Sequence, residues 1–153
     1  MRTQIFHIRP AESDETSLSA LSRVSELPKT RLKDAMAKGA VWLKRGKSTK
    51  RLRRSTAELR KGDELTLYYN QDILALKAPE PLLLADEKHY SVWNKPAGLL
   101  AQGSREGDHC SLLRIAEQQL GREVYLVHRL DREASGLMLI AHNNKAAAAL
   151  SAL

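Results

Sequence analysis

Apolar and polar positions along the chain follow two periods. Gln4-Ile5-Phe6-His7-Ile8 alternates as a short strand that Pro10 ends, and an acidic, polar stretch runs from Ala11 to Ser17. Thr16 or Ser17 then caps a helix with Leu18, Leu21 and Val24 on one face, closed by Pro28. Thr30 is expected to cap a second helix, in which Leu32, Ala35 and Met36 recur at helical spacing up to Gly39. Ala40-Val41-Trp42-Leu43 reads as a strand entering a turn at Gly46. Past the turn signal Lys61-Gly62-Asp63, Leu65, Leu67 and Tyr69 alternate with Thr66 and Tyr68, as in a half-buried strand.

Ala78-Pro79-Glu80-Pro81 interrupts regular structure twice in four residues and is expected to act as a linker, which divides the chain into domains at 1–78 and 79–153. Beyond it, Ser111 caps a helix with Leu112, Leu113, Ala116 and Leu120 on one face and Gly121 at its end. Asn143 caps an alanine-rich helix that opens at Asn144. Val124–Val127 and Leu137–Ala141 are apolar runs of strand type. Trp93 and Tyr125, inside strand-like runs, are expected in the core. The fold class is α+β.

Charge sharpens this division. Residues 1–80 hold 17 Lys and Arg against 10 Asp and Glu, whereas residues 81–153 hold 8 against 8, so the whole net charge of +7 lies in the first part. Within it Lys44, Arg45, Lys47, Lys50, Arg51, Arg53 and Arg54 fall in eleven residues without an acid, with Arg31 and Lys33 on the preceding helix. Such density favours salt-dependent binding to polyanions; a merely solvated basic loop is the alternative. Cys110 is the single cysteine, which excludes an intrachain disulfide and a cysteine-paired zinc site and suits a reducing cytoplasm. His109, Cys110 and His128 match no ligand spacing, so no metal is expected. No apolar run approaches the ~20 residues that span a bilayer, and the N-terminus lacks a signal pattern, so no membrane partner is expected.

The densest chemistry lies in His128-Arg129-Leu130-Asp131-Arg132-Glu133-Ala134-Ser135-Gly136, held between the last two apolar runs. Neighbouring guanidinium groups favour the anionic form of Asp131, which suits a nucleophile better than a general acid. Read on charge alone, the segment is a surface turn with an ion pair that contributes about 0–1 kcal/mol.

The segment resembles the signature of the RluA-type RNA pseudouridine synthases: His-Arg-Leu-Asp, a variable pair, then usually Thr-Ser-Gly. Ala134 stands where Thr is usual. Tyr90-Ser91-Val92-Trp93-Asn94-Lys95-Pro96-Ala97-Gly98-Leu99 resembles the strand and Lys-Pro-x-Gly turn of the same family, in family order. The first part, roughly Thr16 to Tyr69, is similar to the small RNA-binding fold named after ribosomal small-subunit protein four, the S-four fold. In that fold the second helix and adjoining loop face RNA.

The resemblance implies an S-four-like domain followed by the first part of a mixed α/β catalytic domain, and isomerisation of uridine to pseudouridine in structured RNA. No cofactor is implied. Asp131 would be the essential residue, as nucleophile at the ribose or base at its neighbouring carbon. Arg129 would fill the space an extruded base leaves, and Arg132 would hold the turn. Large-subunit rRNA is the first expected partner and tRNA the second. The family's later motifs, with a Tyr and a basic active-site residue, have no counterpart here, so the chain is expected to stop partway through the catalytic domain. The alternative is a non-catalytic S-four-type RNA-binding protein carrying a truncated synthase remnant. The sequence leaves oligomeric state open.

Overall fold

A computed structural model describes residues 2–12 and 14–153; Ser13, inside the polar stretch after the first strand, lies outside the described residues. The chain divides into two compact units, Met1–Leu76 with Ser104–Asp108, and Lys77–Gly103 with His109–Leu153.

The first unit runs β1 (Gln4–Ile8), α1 (Ser17–Ser25), α2 (Lys29–Ala37), β2 (Val41–Arg45), β3 (Ser48–Arg51), β4 (Glu64–Tyr69) and the short α3 (Gln71–Leu74). Its antiparallel sheet has the order β1-β4-β2-β3. The Thr16 hydroxyl caps α1 by accepting the Ser19 amide. The helix ends at Glu26, whose left-handed backbone (φ 60°) turns the chain before Pro28. Ala20 and Leu21 from α1, Leu32, Ala35 and Met36 from α2, and Val41, Leu65 and Leu67 from the sheet form one apolar core. Full burial of each leucine contributes about 1.5–3 kcal/mol.

Several expectations need correction here. Pro28, not Thr30, occupies the position before α2, and no side chain caps that helix. Proline is accommodated there because the N–H it lacks would have no partner inside the helix. Val24 is exposed, unlike Leu21 on the same helix. The stretch after the turn at Gly46, where no strand was expected, contains β3, paired to β2.

The second unit runs β5 (Leu82–Asp86), β6 (Tyr90–Lys95), α4 (Leu112–Leu120), β7 (Tyr125–Leu126), β8 (Gly136–Ala141) and α5 (Asn144–Ser151), with the antiparallel order β5-β6-β8-β7. Ser111 and Asn143 cap α4 and α5 through their side-chain oxygens. Gly121 (φ 69°) ends α4 in the left-handed region that glycine adopts without a Cβ clash. Trp93, Leu99, Leu112, Ala116, Met138 and Ile140 form the core. Trp93 is fully buried and satisfies its indole N–H on the Ser91 hydroxyl at 2.8 Å, whereas Tyr125 is only half-buried. The run Val124–Val127 narrows to a two-residue strand, and Leu82–Asp86, directly after the expected linker, is a strand. Together the units form an α+β chain with two antiparallel sheets. Among the described residues no helix is long and apolar enough to cross a membrane.

Candidate active-site loop and basic hairpin

The segment from Val127 to Ser135 forms the loop between β7 and β8. The ladder stops at Leu126 opposite Ile140, and the next inward amide, that of Leu139, donates to Nε2 of His128 at 3.2 Å. A side chain thus takes over where backbone pairing ends, which requires an unprotonated Nε2. Leu130 packs against the apolar core. Gly136 has φ 145°, and a Cβ built there would lie 3.6 Å from Leu130 Cδ1. Between these anchors the loop turns outward. The Ala134 amide donates to the Asp131 carbonyl at 3.0 Å, and the side chains of Arg129, Asp131 and Arg132 are exposed.

The Lys95-Pro96-Ala97-Gly98 turn holds this loop from below. Gly98 (φ 92°) donates its amide to the Arg132 carbonyl at 2.7 Å, and Lys95 Nζ donates to the carbonyls of Leu99 (2.7 Å), Pro96 (3.2 Å) and Arg132 (3.3 Å). Lys95 is fully buried. Desolvation pushes its ammonium below the ordinary lysine value, against the opposing pull of the Glu133 and Asp131 carboxylates. Arg132 itself lies 4.0 Å from Glu133, an exposed pair of little energetic weight. The arrangement presents two carboxylates, Asp131 and Glu133, and two guanidinium groups to solvent on a loop fixed by its backbone. Such a loop can offer an anionic oxygen to a reacting group with cations beside it.

In the first unit the basic residues separate into two sets. Arg31, Lys33, Lys44, Lys47, Lys50 and Arg54 are exposed. Arg45, in contrast, makes a bidentate pair with the buried Asp63 (2.9 and 2.8 Å), and its guanidinium holds that carboxyl below the usual carboxylate range. Arg53 is bidentate on Asp108 (2.9 and 2.6 Å) and also reaches the Ala37 carbonyl. Arg51 donates to the Gly39 carbonyl, lies 3.4 Å from Asp108 and stacks 4.3 Å above the Trp42 ring. Arg45, Arg51 and Arg53 therefore already hold protein partners. The parts that Asp63, Asp108, Lys95 and His128 play in these arrangements were not read from the sequence. Lys95 and His128 carried a signal, their places in the Lys-Pro-x-Gly turn and at the head of the His-Arg-Leu-Asp segment. Among the described residues no group of three or more His, Cys, Asp or Glu could hold a metal ion.

Residues 89–153 match the RNA pseudouridylate synthase family. Curated proteins similar to the chain include the dual-specificity RNA pseudouridine synthase RluA of Vibrio vulnificus, 38% identical over 44% of this chain and 27% of that protein. The tRNA pseudouridine synthase C of Pectobacterium carotovorum is 35% identical over 45% of the chain and 19% of its own length. The ribosomal large subunit pseudouridine synthase C of Rickettsia bellii is 42% identical over 46% and 24%. The chain thus spans 19–27% of the length of these relatives.

Proposed function

We propose that this chain, whose residues 89–153 belong to the RNA pseudouridylate synthase family, serves the isomerisation of uridine to pseudouridine in structured RNA. The observation that carries the reading is the exposed Asp131 on a loop whose backbone is gripped by the Lys95–Gly98 turn, within the stretch that matches the family. The reaction breaks the N-glycosidic bond, turns the uracil in place and makes a carbon–carbon bond to the ribose. Asp131 supplies the anionic oxygen, either as nucleophile at the ribose or as base at its neighbouring carbon. Arg129, exposed two residues earlier, fills the space of the extruded base, a step that costs a few kcal/mol of unstacking. Arg132 holds the turn through its carbonyl and leaves its guanidinium for phosphate.

The first unit acts as an S-four-like RNA-binding domain. Its two adjacent helices, the following strand and the exposed cations Arg31, Lys33, Lys44, Lys47, Lys50 and Arg54 support that role. Large-subunit rRNA is the first substrate and tRNA the second, in keeping with the relatives named for each. A reducing cytoplasm suits the single Cys110. The test is pseudouridine mapping of rRNA and tRNA from cells with and without the gene. One or more uridines should lose modification and regain it on complementation; an unchanged map defeats the reading.

A further inference from the structure

We infer that the solvent face of the first unit's sheet is a stacking platform for an unpaired base of single-stranded RNA, a base contact beyond the charge contacts of the S-four-like reading. The inference rests on the proposal that the chain binds RNA. Strand alternation sends Val41, Leu65 and Leu67 into the core and leaves Trp42, Lys44, Thr66 and Tyr68 on the opposite face. The register sets these into rows: Arg51 and Thr66 flank Trp42, and Thr49 and Glu64 flank Lys44. An outward strand face asks only for polar or β-branched residues, yet it carries the only indole outside the core and a tyrosine.

Both rings already attract cations. The Arg51 guanidinium lies 4.3 Å from the Trp42 centroid and that of Arg105 lies 4.9 Å from Tyr68, while the Trp42 indole N–H donates to the Arg105 carbonyl at 3.0 Å. Trp42, Lys44, Thr49, Glu64, Thr66, Tyr68 and Arg105 enclose an open recess of about 380 Å³, within the range of small-ligand sites. Its walls offer π faces for a base. Its hydroxyls, carboxylate and ammonium offer donors and acceptors for the base edge. Lys44 within the recess and the exposed Lys47 at the hairpin turn supply positive charge beside the rings, whereas Lys50, opposite Leu43, lies on the other face. Aromatic faces inside a cationic track are the means by which proteins hold single strands without reading sequence, and a duplex cannot present its base faces to such a site.

Trp42 is its own reporter, because the chain's other tryptophan, Trp93, is fully buried. The whole chain is titrated with a dye-labelled single-stranded oligoribonucleotide, a duplex of the same length, and inorganic polyphosphate of matched charge. Dye anisotropy for the two RNAs and tryptophan emission for all three are followed. Single-stranded RNA should bind and quench the emission, whereas duplex and polyphosphate should leave it unchanged. The variant Trp42→Leu should bind the single strand about 5- to 150-fold more weakly, the loss expected for one base stack. Should that variant fail to fold, the wild-type comparison still decides. Binding without quenching, or equal quenching by polyphosphate, overturns the platform alone; absence of any RNA binding overturns the RNA-binding reading with it.

Discussion

The ammonium of Lys95 lies 3.3 Å from the carbonyl oxygen of Arg132, the residue that follows Asp131. That oxygen also accepts the Gly98 amide at 2.7 Å, so the turn and the loop share one acceptor across 37 residues of sequence. The two motifs occur together because one fixes the backbone of the other. A fully buried cation directs its hydrogen bonds to carbonyls, which defines the loop's position without occupying the Asp131 carboxylate.

Replacing Lys95 with Met therefore leaves buried carbonyls short of donors and should destabilise the second unit by about 1–3 kcal/mol. The burial that lowers the native lysine value also fixes the sign of a pH effect. Between that lowered value and the ordinary 10.5, the unfolded chain binds more protons than the native one, so stability from this group rises with pH across the window and is flat below it. Urea unfolding of wild type and Lys95→Met at a series of pH values should show the gap constant at neutrality and widening toward 10.5. A narrowing gap would contradict the assignment.

Asp63 provides the opposite case. Its carboxyl, 2% exposed, accepts both Arg45 nitrogens and the Arg60 amide, and the Arg45 hydrogen bonds hold its native value below 3.8. Its contribution is thus fully present above the ordinary aspartate range and is lost as pH falls through the native value. Asp63→Asn should cost about 1.5–3 kcal/mol at neutral pH, the scale of hydrogen bonds to charged groups, and the difference should shrink in acid. Equal stability of the two proteins at pH 7 would show the pair to be dispensable.

These long-range pairs mark the boundary of what the sequence discloses. Thr16, Ser111 and Asn143 were legible as caps because a cap is a local pattern, and so was the alternation of β4. Leu82–Asp86 was hidden because its alternating exposure is carried by leucines on both faces, Leu82 and Leu84 outward at 59% and 50%. Arg45, Arg51 and Arg53 looked like free cations because their carboxylates, Asp63 and Asp108, lie 18 to 57 positions away. Of the active-site loop, the residue types were legible and their support was not. That Leu130 turns inward while Asp131 turns outward depends on Gly136 and Lys95 in three dimensions.

The two sets of cations should separate in experiment. Lys47→Ala with Lys50→Ala removes exposed charges and should lower the log–log salt slope of RNA binding by about 0.7–0.9 for each phosphate no longer neutralised, with stability changed by less than about 0.5 kcal/mol. Arg53→Ala leaves the Asp108 carboxylate, 10% exposed, without its bidentate partner, and its main effect should be a lowered melting temperature. Salt-dependent binding and thermal melts on both variants check this. A reversed pattern would place the RNA-binding charges on the paired arginines instead.

Asp131→Asn is the most specific test of the proposed chemistry. Asn keeps the size of Asp and leaves the backbone bond from Ala134 to the residue 131 carbonyl intact, so the loop should keep its shape. It cannot supply the anionic oxygen that attack at the ribose or proton abstraction beside it requires. Pseudouridine formation should fall to background while RNA affinity changes little. Arg129→Ala should lose affinity or base extrusion as well as rate, because its partners are in the RNA. Complementation of a gene-deleted strain with each variant in the natural coding sequence, read by pseudouridine mapping beside binding assays, compares the two. Near-normal modification by Asp131→Asn would remove this carboxylate from the reaction and with it the reason for the loop's exposed geometry.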